Sequence, residues 1–316
     1  MNSKTKKFLK ITLPLIFGGC LVWYLFTVIP PETLLDYFKN ANYWWIALGL
    51  FFGVLSHLSR AYRWKFMLEP MGYKPKFTNS VLAVLIGYFV NLAIPRAGEV
   101  SRATVMANYE NIPFEKGFGT IVAERIADLV MMFLIIGITL LIQFDFILQL
   151  VKENFDPIKI SILFGGSLIG GFLFYRYLRK STSGIGLKIK NFVKSLVEGV
   201  TSIFRMKNKW AFIFHTVFIW VMYVLMFWAT IPAIEGLQVP FGGILVGFIA
   251  GGFSIAATNG GVGLYPLAVA GAFTLFGVPE EPSTAFGSVM WAAQTVMVIV
   301  FGGLSFLLLP IYNKAK

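Results

Sequence analysis

The chain has 316 residues, of which 57% are hydrophobic, 16% aromatic and only 13% charged. Its mean hydropathy is +0.74. Soluble domains carry about a quarter charged residues to cover a water-facing surface, so lipid must replace water over most of this one. The net charge of +12 does not point to nucleic acid, because the basic residues cluster where apolar stretches end. Lys4, Lys6, Lys7 and Lys10 lie at the start of the first stretch, Arg60, Arg63, Lys65, Lys74 and Lys76 at and beyond the end of the second, and nine more run from Arg176 through Lys209. That pattern orients membrane proteins and attracts anionic lipid at the cytoplasmic surface.

Six stretches are long enough to cross about 30 Å of hydrocarbon as helix: Leu9–Ile29, Tyr43–Arg63, Gly117–Phe144, Ile158–Leu178, Trp210–Ile234 and Thr284–Pro310. Pro30 and Pro31, in place of a small-residue cleavage site, favour retention of the first. Tyr43, Trp44, Trp45, Trp64, Trp210 and Tyr312 sit at span ends as interfacial anchors. Cys20 is alone in an apolar run, which leaves no disulfide framework or thiolate metal site.

Two further stretches are broken. Asn79–Ile94 runs into Pro95-Arg96-Ala97-Gly98 and a polar, helix-like Glu99–Glu110. Phe241–Thr258 runs into Asn259-Gly260-Gly261-Val262-Gly263 and an apolar Leu264–Phe276. Breaks at membrane depth are tolerated where the backbone is buried in protein or lines a wet cavity. If both segments turn back, the loops on one side carry 20 Lys and Arg, and those on the other carry three (Lys39, Lys152 and Lys159) with eight acids. If the first crosses instead, the basic connection lands outside, against the positive-inside bias.

The expected fold is therefore an all-α integral membrane protein. About six transmembrane helices accompany two re-entrant hairpins, with both termini cytoplasmic. One membrane domain, 1–316, is expected to contain inverted-repeat halves, 1–156 and 157–316, displaced by about 164–168 residues. Gly87-Tyr88-Phe89 echoes Gly251-Gly252-Phe253, Ile112-Pro113 echoes Val278-Pro279, and Phe118-Gly119 echoes Phe286-Gly287. Inverted repeats with broken helices near the midplane recur in transporters.

Charged residues at membrane depth mark the candidate site, because such groups are costly and face a cavity or one another. Arg96, Glu99 and Arg102 follow the Pro95 break. Glu124, Arg125 and Asp128 lie on a later span, where Glu124 and Asp128 share a face and Arg125 and Asp128 can pair. One reading is a pocket whose arginines hold phosphate bidentately, and the other is an ion-pair clasp. The second break could cradle an anion on backbone N–H groups, or its glycines could simply permit a tight turn. His57 and His215 read as hydrogen-bonded packing residues rather than ligands, and Gln294 and Asn91 as cavity lining or interhelical bonds. Gly186–Lys209 reads as an amphipathic surface helix. Neither a metal nor a cofactor is expected, and no nucleophile elbow, phosphate loop or zinc-helix motif occurs.

Asn91-x3-Pro95-x2-Gly98-Glu99-x2-Arg102, then Glu124-Arg125-x2-Asp128, then Gly260, Gly261 and Gly263, resembles the lysylphosphatidylglycerol synthase transmembrane-region family. Arg60-Ala61-x-Arg63-Trp64 also resembles the basic end of that family's early span. The likeness covers nearly the whole chain. It implies a flippase-like transporter of the prokaryotic inner membrane that moves an anionic or glycosylated lipid headgroup between leaflets. Membrane lipids are the implied partners, and a lipid-modifying enzyme is a further one. The alternative is a membrane-embedded transferase or a lipid-binding subunit of such an enzyme. The chain departs from the family pattern in three places. No aminoacyl-transferase domain follows the last span, so the resemblance implies transport without synthesis. Asn259 stands where the family has Pro, and Leu264-Tyr265-Pro266 lacks the acid that commonly follows. Trp291 and Gln294 occupy the region of a frequent Arg.

Overall fold

The computed structural model describes residues 18–146, 148–149, 206–258 and 260–313, with scattered positions between 166 and 190. They fall into two compact units, one drawn from 1–122 and 210–316 and the other from 123–209. Every regular element among the described residues is helical.

In the first unit, α1 (Gly18–Val28) stops before Pro30, and α2 (Pro31–Asn40) leaves it at 80°. Pro31 supplies a first-turn residue whose missing N–H costs nothing there. α3 (Tyr43–Leu68) begins where the Asn42 side chain accepts from the Trp44 N–H at 3.1 Å. It ends in a short 3-10 turn at Glu69–Met71, closed by Gly72 at φ +88°.

α4 (Phe77–Ala93) stops at Ile94, which precedes Pro95 and is extended (φ −134°, ψ 108°), since proline disfavours the helical region for the residue before it. Arg96 then takes a left-handed conformation, φ +64°, and α5 (Ala97–Glu110) starts. α5 folds back on α4 and ends at Asn111, φ +55°, in a left-handed cap.

α6 (Phe114–Ile142) begins in the first unit and continues into the second. α7 (Lys209–Thr230) runs into a 3-10 turn at Ile231–Ala233. α8 (Phe241–Ala257) and α9 (Leu264–Thr274) form the second hairpin, and α10 (Glu280–Asn313) completes the chain. α10 packs on α9 and on α4, and so touches both hairpins. Phe227, Phe273 and Phe286 form the centre of one apolar core, with Phe227 edge-on to Phe286 at 5.1 Å. Trp64, Ile86, Met106 and Ile121 lie in another, around the first hairpin.

The hairpins match in detail. α4 and α8 each have 17 residues, and their first residues, Phe77 and Phe241, lie 164 positions apart. Gly87 and Gly251, separated by the same interval, both sit at their hairpin's crossing. A methyl on Gly87 would meet Arg102 Cγ at 2.7 Å, and one on Gly251 would meet the Tyr265 ring at 2.8 Å. The tips also meet, because a methyl on Gly260 would lie 3.7 Å from Leu92.

Among the described residues, three helical stretches are long and apolar enough to cross a membrane: Phe114–Ile142, Lys209–Ala233 and Glu280–Asn313. A fourth is added if α1 and α2 count as one bent span. Three of the expected six spans, or four with that bent pair, thus have such a helix among the described residues. α3 is long enough, at 26 residues, but its C-terminal half carries His57, Arg60, Arg63 and Lys65 and falls short of such hydropathy. The expected span Ile158–Leu178 and surface helix Gly186–Lys209 lie largely outside the described residues.

Candidate functional site

The first break is built by cross-strap bonding. The opening N–H groups of α5 have no partner within their own helix, and the Asn91 side chain, on α4, accepts from the Gly98 N–H at 2.8 Å. Gly98 has no room for a side chain, since an added methyl would fall on the Gly87 carbonyl oxygen and the Asn91 amide. Asn91, Pro95 and Gly98 thus make the break, and Arg96 is exposed at its tip.

Arg102 lies deeper on α5 and is only 3% exposed. Its stem covers Gly87, and its guanidinium stacks 4.4 Å from the Trp64 ring centre. Trp64 is itself pinned, its indole N–H donating to Thr120 Oγ1 at 2.8 Å while the Thr120 hydroxyl donates to the Gly117 carbonyl at 2.7 Å. Glu99 is half-buried on the same helix. Arg96 and Arg102, grouped in the sequence reading, thus differ in burial, one exposed at the tip and the other inside.

Two arginines that read as orientation charges prove to be interior. Arg60 and Arg63 are 2% and 0% exposed on α3. Arg63 donates to Thr216 Oγ1 at 2.7 Å and stacks on Phe212 at 5.1 Å. Arg60 donates to the Tyr223 hydroxyl at 3.4 Å, which in turn lies 3.3 Å from the Tyr88 hydroxyl. The spacing 57, 60, 63 and 64 gave the available signal, because it puts His57, Arg60, Arg63 and Trp64 on one helical face. The histidines behave as expected of packing residues. His215 Nδ1 bonds Ser59 Oγ at 2.8 Å, and the His57 ring lies 4.5 Å from that of Tyr88.

The second break is closed by its own bonds. Gly260, Gly261 and Gly263 all have positive φ, from +67° to +83°, a region open to glycine without strain. The Gly261 N–H donates to Thr258 Oγ1 at 3.1 Å, and Trp291 Nε1 donates to the Gly260 carbonyl at 2.7 Å. Gly263 faces Leu21 of α1, and Gln294 donates to the Tyr265 hydroxyl at 3.5 Å. Asn259 lies outside the described residues.

In the second unit, Glu124 and Asp128 are buried on α6. Arg125 pairs with Asp128 at 3.5 Å, their side chains 41% and 11% exposed. Such an i, i+3 pair on a partly open face couples weakly, by about 0.2–0.5 kcal/mol. A double-mutant cycle with Arg125→Ala and Asp128→Ala is expected to return a coupling of that size. A coupling several-fold larger would show that the pair is sealed from solvent.

A helical chain with membrane-long apolar helices, two broken-helix hairpins meeting at their tips and buried arginines beside one of them is an integral membrane protein. It belongs to the family described as the lysylphosphatidylglycerol synthase TM region, which it matches over residues 11–303. It is 30% identical over 125 residues to a UPF0104 membrane protein of Methanocaldococcus jannaschii, covering 39% of this chain and 37% of that one. It is also 30% identical over 113 residues to glycosyltransferase AglD of Haloferax volcanii, covering 35% of this chain and 18% of that protein. The matched segments thus span well under half the length of either relative. No solved structure matches the chain significantly.

Proposed function

We propose that the protein is a flippase-like transporter that moves lipid with an anionic or glycosylated headgroup between bilayer leaflets. The observation that carries this reading is the burial of Arg60 and Arg63 on α3 and of Arg102 on α5, the second helix of the first hairpin. Guanidinium groups inside an apolar protein are costly, and their planar forks suit phosphate oxygens. Arg102 and Arg63 hold the headgroup phosphate, Glu99 tunes that binding, and Arg96 at the tip meets it first. The matched hairpins form an inverted repeat of re-entrant segments, and one half rocking on the other gives alternating access. The test is purified full-length protein in proteoliposomes carrying a fluorescent anionic lipid. Accelerated movement between leaflets, with the lipid chemically unchanged, is expected, and movement no faster than in protein-free vesicles would overturn the reading.

A membrane transferase or its lipid-binding subunit is the second reading, favoured by the name of the Haloferax relative. It requires a new lipid species in the same vesicles, read by mass spectrometry.

The topology that goes with transport puts both termini and the basic connection in the cytoplasm, in the six-span arrangement. In a Cys20→Ser background, a cysteine at Glu280 should react with an impermeant thiol reagent in intact cells, and one at Asn208 should not. Labelling of Asn208→Cys from outside would reverse the assignment.

A further inference from the structure

α10 carries a proline inside it, Pro310, close to its end at Asn313. A proline within a helix has no N–H to give the carbonyl four residues back, so the ladder is broken there and the last turn can bend away. That turn holds a cluster of amides. The Asn79 side chain, near the start of α4 and fully buried, donates to Asn313 Oδ1 at 3.0 Å, and Asn313 donates back to Asn79 Oδ1 at 2.9 Å. Asn79 also donates to Glu110 Oε1, at the end of α5, and Asn313 to the Leu309 carbonyl at 2.9 Å. Both hydrogens of both amides are thus used.

The place of this cluster gives it a role. α4 and α5 are the arms of the first hairpin, so Asn79 and Glu110 bond across its open mouth, at the end away from the Pro95 break. Asn79, Ala83, Gly87 and Asn91 recur every four residues and share one face of α4. That face lies against α5, since Gly87 gives the Arg102 stem its groove and Asn91 caps Gly98. Ala83 and Leu309 of α10 are buried in the apolar core that includes Trp64. About 16 Å along α10 from Asn313, an added methyl on Gly302 would meet the Leu85 carbonyl oxygen of α4 at 2.8 Å. This close crossing holds the body of α10 on α4, and the turn beyond Pro310 is the part left to swing.

The bonds of that turn suit release. An apolar seam or a buried ion pair is costly to part, whereas neutral amides exchange their bonds for water at small net cost. Asn313 is half-exposed, so water is at hand. Closed, a fully satisfied polar network holds one definite geometry. We propose that the last turn of α10 is a bolt on the mouth of the first hairpin, Asn313 holding Asn79 in place until the turn withdraws at Pro310 and lets α4 and α5 part. The opened mouth leads along the α4 face from Ala83 to Gly87 and Arg102. Resting on the transport reading and its topology, the bolt is the gate on the cytoplasmic side, where Lys74 and Lys76 lie.

The experiment uses the full-length protein in a Cys20→Ser background. Single cysteines replace Ala83, inside the mouth, and Ala285, at the other end of α10, both 0% exposed. In nanodiscs, Asn313→Ala should speed maleimide labelling of Ala83→Cys by about tenfold, the effect of losing two bonds of ordinary net strength. Labelling of Ala285→Cys should stay within about twofold, because the opening is local. If both rates rose, Asn313 would brace the whole chain, and if neither rose, the mouth would not depend on it; either result overturns the bolt. The second arm joins Asn79→Cys to Asn313→Cys with a short bis-methanethiosulfonate linker in proteoliposomes carrying a fluorescent anionic lipid. Movement between leaflets should stop and return when a thiol reductant cuts the linker. Movement at the parental rate in linked protein would sink the gate while the transport reading stood. If the parent moved no lipid, the transport reading would fail, and the labelling arm would still decide whether the mouth opens. That arm also decides if the double-cysteine protein does not fold.

Discussion

Gly98→Ala is expected to destabilise the protein by about 2 kcal/mol, although alanine is the better helix former. Within a helix, replacing glycine by alanine gains about 1 kcal/mol from propensity. At Gly98 the new methyl would land on the Gly87 carbonyl oxygen and on the Asn91 amide that caps α5. Backbone cannot yield as a side-chain end can, and overpacking of this kind costs about 3 kcal/mol. The steric term wins, and it also loosens the Asn91 cap. Gly303→Ala supplies the contrast, because nothing lies within 4 Å of its added methyl. It sits inside α10 and should stabilise by roughly 0.5–1 kcal/mol. Thermal unfolding of both variants in one detergent checks the pair. If both shifted upward, the crossing of α4 and α5 would be looser than drawn.

Both breaks were legible because proline and glycine act locally. Pro95 dictates the extended Ile94 before it, and three glycines at positive φ need no tertiary partner to be recognised. The helix pairs around them were placed to within a few residues, as α4, α5, α8 and α9 show. Less legible was α3. Its charges read as an interface, so the span seemed to end at Arg63, whereas the helix continues to Leu68 with Arg60 and Arg63 in its interior. Positive residues near a span end look alike in sequence whether they snorkel to water or turn inwards. The partners that draw these two in, Thr216, Phe212 and Tyr223, lie more than 140 positions away on α7.

The same non-local logic divides the candidate residues. Arg96 and Arg102 are close in sequence and were grouped for that reason. The left-handed turn at Arg96 leaves its side chain exposed at the tip, while Gly87 gives the Arg102 stem a groove on α4. Asn91 is a cap for another helix, which is visible only once α5 has folded back. The pairing of Arg125 with Asp128 was readable from i, i+3 spacing alone, since one helix contains both partners.

That division makes Arg102→Lys the decisive functional substitution and Arg96→Lys its comparison. Lysine keeps the positive charge at both sites, so any loss reports shape rather than sign. At Arg102 the guanidinium lies over the Trp64 ring, 4.4 Å from its centre, with the ring held by Thr120. The stack fixes the plane of the guanidinium, and a fixed plane is what paired bonds with phosphate require. An ammonium has no plane to stack and no fork to offer, and a desolvated cation–π contact is worth on the order of 2 kcal/mol. In proteoliposomes, Arg102→Lys should slow the movement of an anionic lipid by about tenfold or more, in line with that energy. A zwitterionic lipid should be less affected, and Arg96→Lys, at an exposed tip, should remain within about twofold of the parent because its side chain has no packed geometry to lose. Trp64→Phe keeps a ring beneath the guanidinium and should fall between the two. If Arg102→Lys moves anionic lipid at the parental rate while remaining folded, Arg102 braces the hairpin and does not handle the headgroup. The phosphate site would then have to be sought at Arg60 and Arg63.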